Sequence, residues 1–185
     1  MGLNQKRGIH ESFKENGFTL IELLVVMAIV GVLVAIIFVA LDPTERFIQA
    51  RNAVRQNDVK ENSSALLSYQ DDHKGQVFPP IANLTVGEVS MLVDGDKMKE
   101  GCDDNNAVCT SAVTQDTHCV NIHDLIQEGY LTDMPVSPSG EVVWDVGDNT
   151  GDNGSGYTIS LEPGGIVTVR ACENEQSTEE IKVSR

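Results

Sequence analysis

The sequence predicts an α+β protein: a long N-terminal helix, transmembrane and then amphipathic, packed on a small antiparallel β-sheet domain. Three observations predict it. Phe18 to Leu41 is a 24-residue apolar run with one charge, Glu22. Thr44 to His73 is polar, with an intermittent apolar stripe at helical spacing. The C-terminal part holds short β-branched segments divided by glycine-rich turns.

Residues 1–17 read as a leader peptide. They hold Lys6, Arg7 and Lys14 against Glu11 and Glu15, a net +1 within a chain of formal net charge −15, so the chain from Phe18 onward carries −16. An ordinary secretory signal has its small cleavage residue after the apolar stretch. Here the small residue, Gly17, precedes it. Cleavage there would leave the apolar segment on the mature chain. Residues 18–41 suit a membrane-spanning helix: ~36 Å at 1.5 Å per residue, against ~30 Å of hydrocarbon. The basic leader places the N-terminal end in the cytoplasm and the domain outside. Glu22 is costly there, about 2.5–3.5 kcal/mol if it lay at the centre of a span and less near an end. A plain anchor gives it no use.

Residues 42–75 continue as an amphipathic helix. Gly31 and Asp42-Pro43 interrupt the helical run; Pro43 either kinks one helix or starts a new one with Asp42 as N-cap. Phe47, Ala50, Val54, Ala65, Leu66 and Tyr69 form the stripe, and the very polar stretch Arg55 to Ser64 offers little to a core. Gly75 is a stop signal, and Pro79-Pro80 rules out continuation. Residues 76–140 read as a variable loop region with a short helix near Val86 to Val93. Residues 141–172 read as an antiparallel β-meander with strands at Glu141–Val146, Tyr157–Leu161 and Ile166–Ala171. Residues 173–185 are a polar, mobile tail, in which Ile181 and Val183 are able to extend a sheet edge.

The run Gly17, Phe18, Thr19, Leu20, Ile21, Glu22, Leu23 resembles the type III signal peptide of type IV pilins and of the pseudopilins of type II secretion. Ala50-Arg51, Asp58, Ala65-Leu66, Tyr69, Asp72, Gly75 and Phe78-Pro79 are similar to residues at like spacing in major pseudopilins. Leu125 to Leu131, with Pro135 and Pro138, resembles that family's second short helix and exit loop. The resemblance implies a pilin-like fold and a structural, non-enzymatic subunit. It implies cleavage between Gly17 and Phe18 by a prepilin peptidase, N-methylation of Phe18, and assembly through Glu22, which pairs with the amine of a neighbouring subunit. It also implies a homopolymer built by an inner-membrane assembly platform with minor pilins. The subunit would wait in the inner membrane, its domain outside the cytoplasm, then enter a surface pilus or a periplasmic pseudopilus. The alternative is a membrane-anchored extracytoplasmic binding protein that does not polymerise.

Export favours disulfides among Cys102, Cys109, Cys119 and Cys172. Of three connectivities the expected one is Cys102–Cys109, closing a small Asp/Asn loop, with Cys119–Cys172, which is similar to the C-terminal disulfide loop of many pilins. A zinc site from Cys109, His118, Cys119 and His123 is the rival, although no spacing there forms the usual paired knuckle. The loop Asp145 to Gly156 leaves two readings: Asp145, Asp148, Asn149, Asp152 and Asn153 as oxygen ligands for Ca²⁺, or a plain glycine-rich turn. No metal or other cofactor is expected. The acidic surface repels nucleic acid, so the isolated domain is not expected to bind it. No catalytic constellation is visible: Asp71-Asp72-His73 reads as a solvated helix end, and Trp144 as core.

Overall fold

The computed structural model describes residues 17–95, 106–114, 119–144 and 154–185. The chain divides into two units, residues 1–43 and 44–185, described in turn.

The first unit is helix α1 (Leu20–Leu41). Leucine, valine and isoleucine surround it on every side, so it has no polar face. Its most apolar window has a mean hydropathy of 3.3 and none of that window is buried. By length and composition it can cross a bilayer. Gly31 does not interrupt it, contrary to expectation. Outside the helix's own backbone no atom lies within 4 Å of where a Cβ would stand there, and one glycine costs a helix only about 1 kcal/mol. The break comes at Asp42, whose backbone is left-handed at φ 33°.

Helix α2 (Pro43–Asp72) restarts with proline in its first position, where a missing N–H costs nothing. It ends at two left-handed residues, Lys74 (φ 60°) and Gly75 (φ 85°). The Gly75 N–H reaches back to the Gln70 carbonyl at 2.8 Å, which satisfies one of the free carbonyls of the last turn. The buried face runs through Arg55, Val59, Asn62, Ser63, Ala65 and Tyr69. Arg55 to Ser64, expected to offer little to a core, supplies four of these six buried positions. The helical period is intact, but polar side chains occupy half of the buried positions.

After α2 come a short helix α3 (Pro79–Ala82) and strand β1 (Val89–Val93). A 3₁₀ turn follows at Asn106–Val108, then β2 (Cys119–Asn121), helix α4 (His123–Gln127), β3 (Tyr157–Glu162), β4 (Ile166–Ala171) and β5 (Lys182–Ser184). They form one five-stranded sheet in the order β2-β1-β3-β4-β5. β3 and β4 pair from Tyr157↔Ala171 to Glu162↔Ile166, and β1 and β5 flank them antiparallel. β2 runs parallel to β1, with Met91 opposite Cys119.

Three expectations for this half need correction. Val89–Val93 is a buried central strand rather than helix, because it lies between β2 and β3. Residues 141–144 form no strand, for the Glu141 N–H donates to the Glu173 carboxylate at 2.7 Å instead of to a ladder; residues 145–146 lie outside the described residues. The tail is not free. Val167 and Arg185 exchange both backbone bonds, at 2.7 and 3.0 Å, and Ile181 is buried.

Alternation along the strands divides the core in two. On the α2 side, Leu92, Tyr157, Ile159, Val169 and Ala171 meet Val59, Ala65, Tyr69, Phe78, Ile81 and Leu125. On the other side Met91, Val93, Val113, Trp144 and Cys172 form a smaller cluster. Tyr69 anchors the first cluster, stacked on His73 at 3.8 Å and edge-on to Phe78 at 5.1 Å. Tyr130 donates to Asp72 at 3.1 Å, so the end of α2 is tied down rather than simply solvated.

Candidate processing and assembly site

Gly17, Phe18 and Thr19 precede the first turn of α1 in exposed, non-helical backbone. Thr19 is extended (φ −80°, ψ 150°) and caps the helix: its Oγ1 accepts the Glu22 N–H at 3.3 Å. Its carbonyl accepts the Leu23 N–H at 3.2 Å. Thr-x-x-Glu is the sequence pattern of a helix start, with the glutamate in the third helical position. The free N–H groups of this turn favour a carboxylate by about 0.3–1 kcal/mol. Glu22 is thus fixed one turn from the Gly17-Phe18 bond, on the outside of the helix.

Nothing in the fold demands glycine at position 17. No atom beyond its own chain neighbours lies within 4 Å of a Cβ built there, and its φ is outside the left-handed region. Contrast Gly156, at φ +79°, where a Cβ would stand 2.5 Å from the Ser137 Cβ and 2.8 Å from the Trp144 ring.

The second unit contains a site that sequence reasoning missed. Arg55 is fully buried. Its Nε donates to Ser137 Oγ at 3.0 Å. Nη1 donates to Asn52 Oδ1 at 2.9 Å and to Glu175 Oε1 at 2.7 Å. Nη2 donates to the Pro138 carbonyl at 2.9 Å and to Glu173 Oε2 at 2.8 Å. All five guanidinium N–H groups therefore have a use. Glu173 is itself buried and also accepts from Trp144 Nε1 at 3.0 Å. Arg51 pairs with Glu175 as well. The hydrogen bond from Arg51, with Arg55 adding to it and burial opposing, lowers the Glu175 carboxyl to about 2. Further along α2, the Tyr157 hydroxyl donates to Asp58. Burial raises the Asp58 carboxyl, and the tyrosine bond only partly offsets it; burial, then Asp58, raise the Tyr157 phenol. Polar bonds thus hold α2 on the sheet where apolar side chains are sparse. The sequence signal was the spacing 55, 59, 62, 65, 69, which keeps helical period if polar members are admitted.

The disulfide connectivity differs from expectation. Cys109 is bonded to Cys172. Cys119 is disulfide-bonded too, and Cys102 lies outside the described residues. Strand order explains why Cys119–Cys172 cannot form. Cys119 stands on edge strand β2, and β1 and β3 separate it from β4, which Cys172 follows. Three strand spacings are roughly 14 Å, about twice the Cα separation a disulfide tolerates. Bonded sulfurs at 109 and 119 also remove two thiolates from the zinc rival; His118 lies outside the described residues. His123 instead meets Asp94 at 2.6 Å. Of the loop offered for Ca²⁺, residues 145–153 lie outside the described residues.

Residues 12–38 match the family model described as the prokaryotic N-terminal methylation motif. The comparisons with curated proteins and with solved structures gave no match. The motif covers Gly17, Phe18, Glu22 and α1 to Phe38, and it gives the chain the N-terminal signal of the prepilin-like family, that of type IV pilins and pseudopilins.

Proposed function

We propose that this chain is a structural subunit of a type IV filament, a pilin or pseudopilin. A prepilin peptidase cuts between Gly17 and Phe18 and the new amine of Phe18 is methylated. The mature subunit waits in the inner membrane with residues 44–185 outside the cytoplasm. An assembly platform then draws it into a homopolymer, in which copies of α1 bundle at the centre.

One observation carries this reading: α1 is apolar on every side and wholly exposed, yet holds a carboxylate in its first turn. Lipid and a bundle of like helices are equally apolar, so helix burial alone gives little drive to leave the membrane. A carboxylate and an amine that are each costly in lipid change that balance, because pairing neutralises both. Glu22 is the charge that prefers other copies of the chain to lipid.

Expression of the full chain with and without a prepilin peptidase tests the first step. The mass should fall by that of residues 1–17 and rise by one methylene, only when the peptidase is present. A membrane-anchored binding protein that never polymerises would show no change in size or location.

A further inference from the structure

We infer that the Cys109–Cys172 bridge is a redox-sensitive latch for α2, acting through the buried charges beside it. Cys172 directly precedes Glu173, which with Glu175 supplies both carboxylates on Arg55. These carboxylates come from an irregular segment after β4, not from a strand. Around Cys172 that segment is fixed at three points: its N–H to the Gly156 carbonyl at 2.9 Å, its carbonyl to the Thr110 N–H at 3.2 Å, and its sulfur to Cys109. The Thr110 bond belongs to the same loop that the bridge tethers, so opening the bridge removes one of these points and loosens a second, while the Gly156 bond, the Ala171 N–H to the Ile181 carbonyl at 2.9 Å and the Asn52 bonds to the Glu175 backbone remain.

On the Gly140 side the network is closely packed. A Cβ on Gly140 would lie 2.8 Å from Arg55 Nη2 and 2.8 Å from Glu173 Oε1. Trp144 bonds Glu173 and packs beside Cys172. A shift of residues 172–175 therefore takes carboxylates from a guanidinium that has no contact with water. Charges in this state cannot be left half paired: the Arg55 face of α2 either stays docked or opens to solvent. The other end of α2 has a separate anchor, the Tyr69, His73, Phe78 and Tyr130 rings. The latch thus acts on about residues 51–62 and spares residues 65–72.

Closing the latch removes two electrons and two protons from the Cys109 and Cys172 thiols. A disulfide-bearing oxidant takes both by thiol–disulfide exchange and leaves as a dithiol. The coupling belongs to the chain whether or not it polymerises, so a failed filament assay and a failed latch assay are separate results.

Hydrogen exchange on the full chain in detergent micelles is the test, comparing the oxidised protein with the double variant Cys109→Ser, Cys172→Ser, which leaves the Cys119 bridge in place. Amides of residues 51–62 should exchange at least tenfold faster in the variant, and those of 65–72 less than twofold faster. Trp144 emission should move to the red. Glu173→Gln, with the bridge intact, should reproduce the same local pattern. Unchanged exchange over 51–62, or equal acceleration throughout residues 44–185, would overturn the latch.

Discussion

Replacing Arg55 by methionine keeps most of the side-chain volume and removes the cation. Five hydrogen bonds disappear with it, two of them to carboxylates. The decisive loss is on the partners' side. Glu173 has 4% of its side-chain surface exposed, so water cannot replace the guanidinium, and only Trp144 Nε1 and the Glu141 N–H remain. Removing one partner of a buried ion pair costs about 3–5 kcal/mol, more than the pair itself contributes, because an uncompensated charge stays behind. In a domain of this size that is a fall in Tm of roughly 10–20 °C. Thermal unfolding followed by circular dichroism in detergent gives the number. Adding Glu173→Gln to Arg55→Met should recover about 1.5–3 kcal/mol, because a neutral amide still accepts from Trp144 without a stranded charge. A loss below about 1 kcal/mol for Arg55→Met, or no recovery in the double variant, would refute the claim that buried charge pairing holds α2 on the sheet.

Two glycines in the left-handed region should respond differently to alanine. Gly75→Ala meets open space and should cost about 1 kcal/mol of backbone strain, whereas Gly156→Ala adds a collision with Ser137 and Trp144 and should cost more than ~2 kcal/mol. Comparative denaturant melts would show this, and equal costs would count against the packing described. Acid should weaken the α2 dock. Glu175 is lowered from the ordinary 4.5 to about 2, so its contribution is complete above about pH 4.5 and is lost as pH falls through about 2. Wild type should therefore lose stability between these values more steeply than Glu175→Gln; parallel curves would mean the Arg51 and Arg55 pairing does not operate in solution.

The parts of this protein that were legible in its sequence are those set by neighbours along the chain. Apolarity alone marks α1, and Thr19 and Glu22 mark its start. Gly164 and Gly165 mark the β3–β4 turn. What was not legible depends on distant residues. Val89–Val93 lacks a local signal that separates strand from helix; pairing with β2 and β3, from residues 119–121 and 157–162, decides it. Arg55 looks like part of a solvated face until residues 137, 173 and 175 are brought to it. The cysteine pairing turns on strand order, for Cys119 and Cys172 lie towards opposite edges of one sheet. Polar burial is hard to read for the same reason. A polar side chain is expelled or retained according to its partner, and here the partner lies more than a hundred residues away.

The most direct test of the filament account is the amount of this chain in sheared surface or periplasmic filaments, for wild type and for Glu22→Ala, each expressed with a prepilin peptidase and an assembly machine. Wild type should be cut and recovered in filaments. Glu22→Ala should be cut equally well and remain in the membrane fraction. Equal filament recovery from both would contradict the role given to Glu22, and a processed wild-type chain that never leaves the membrane would contradict the filament itself.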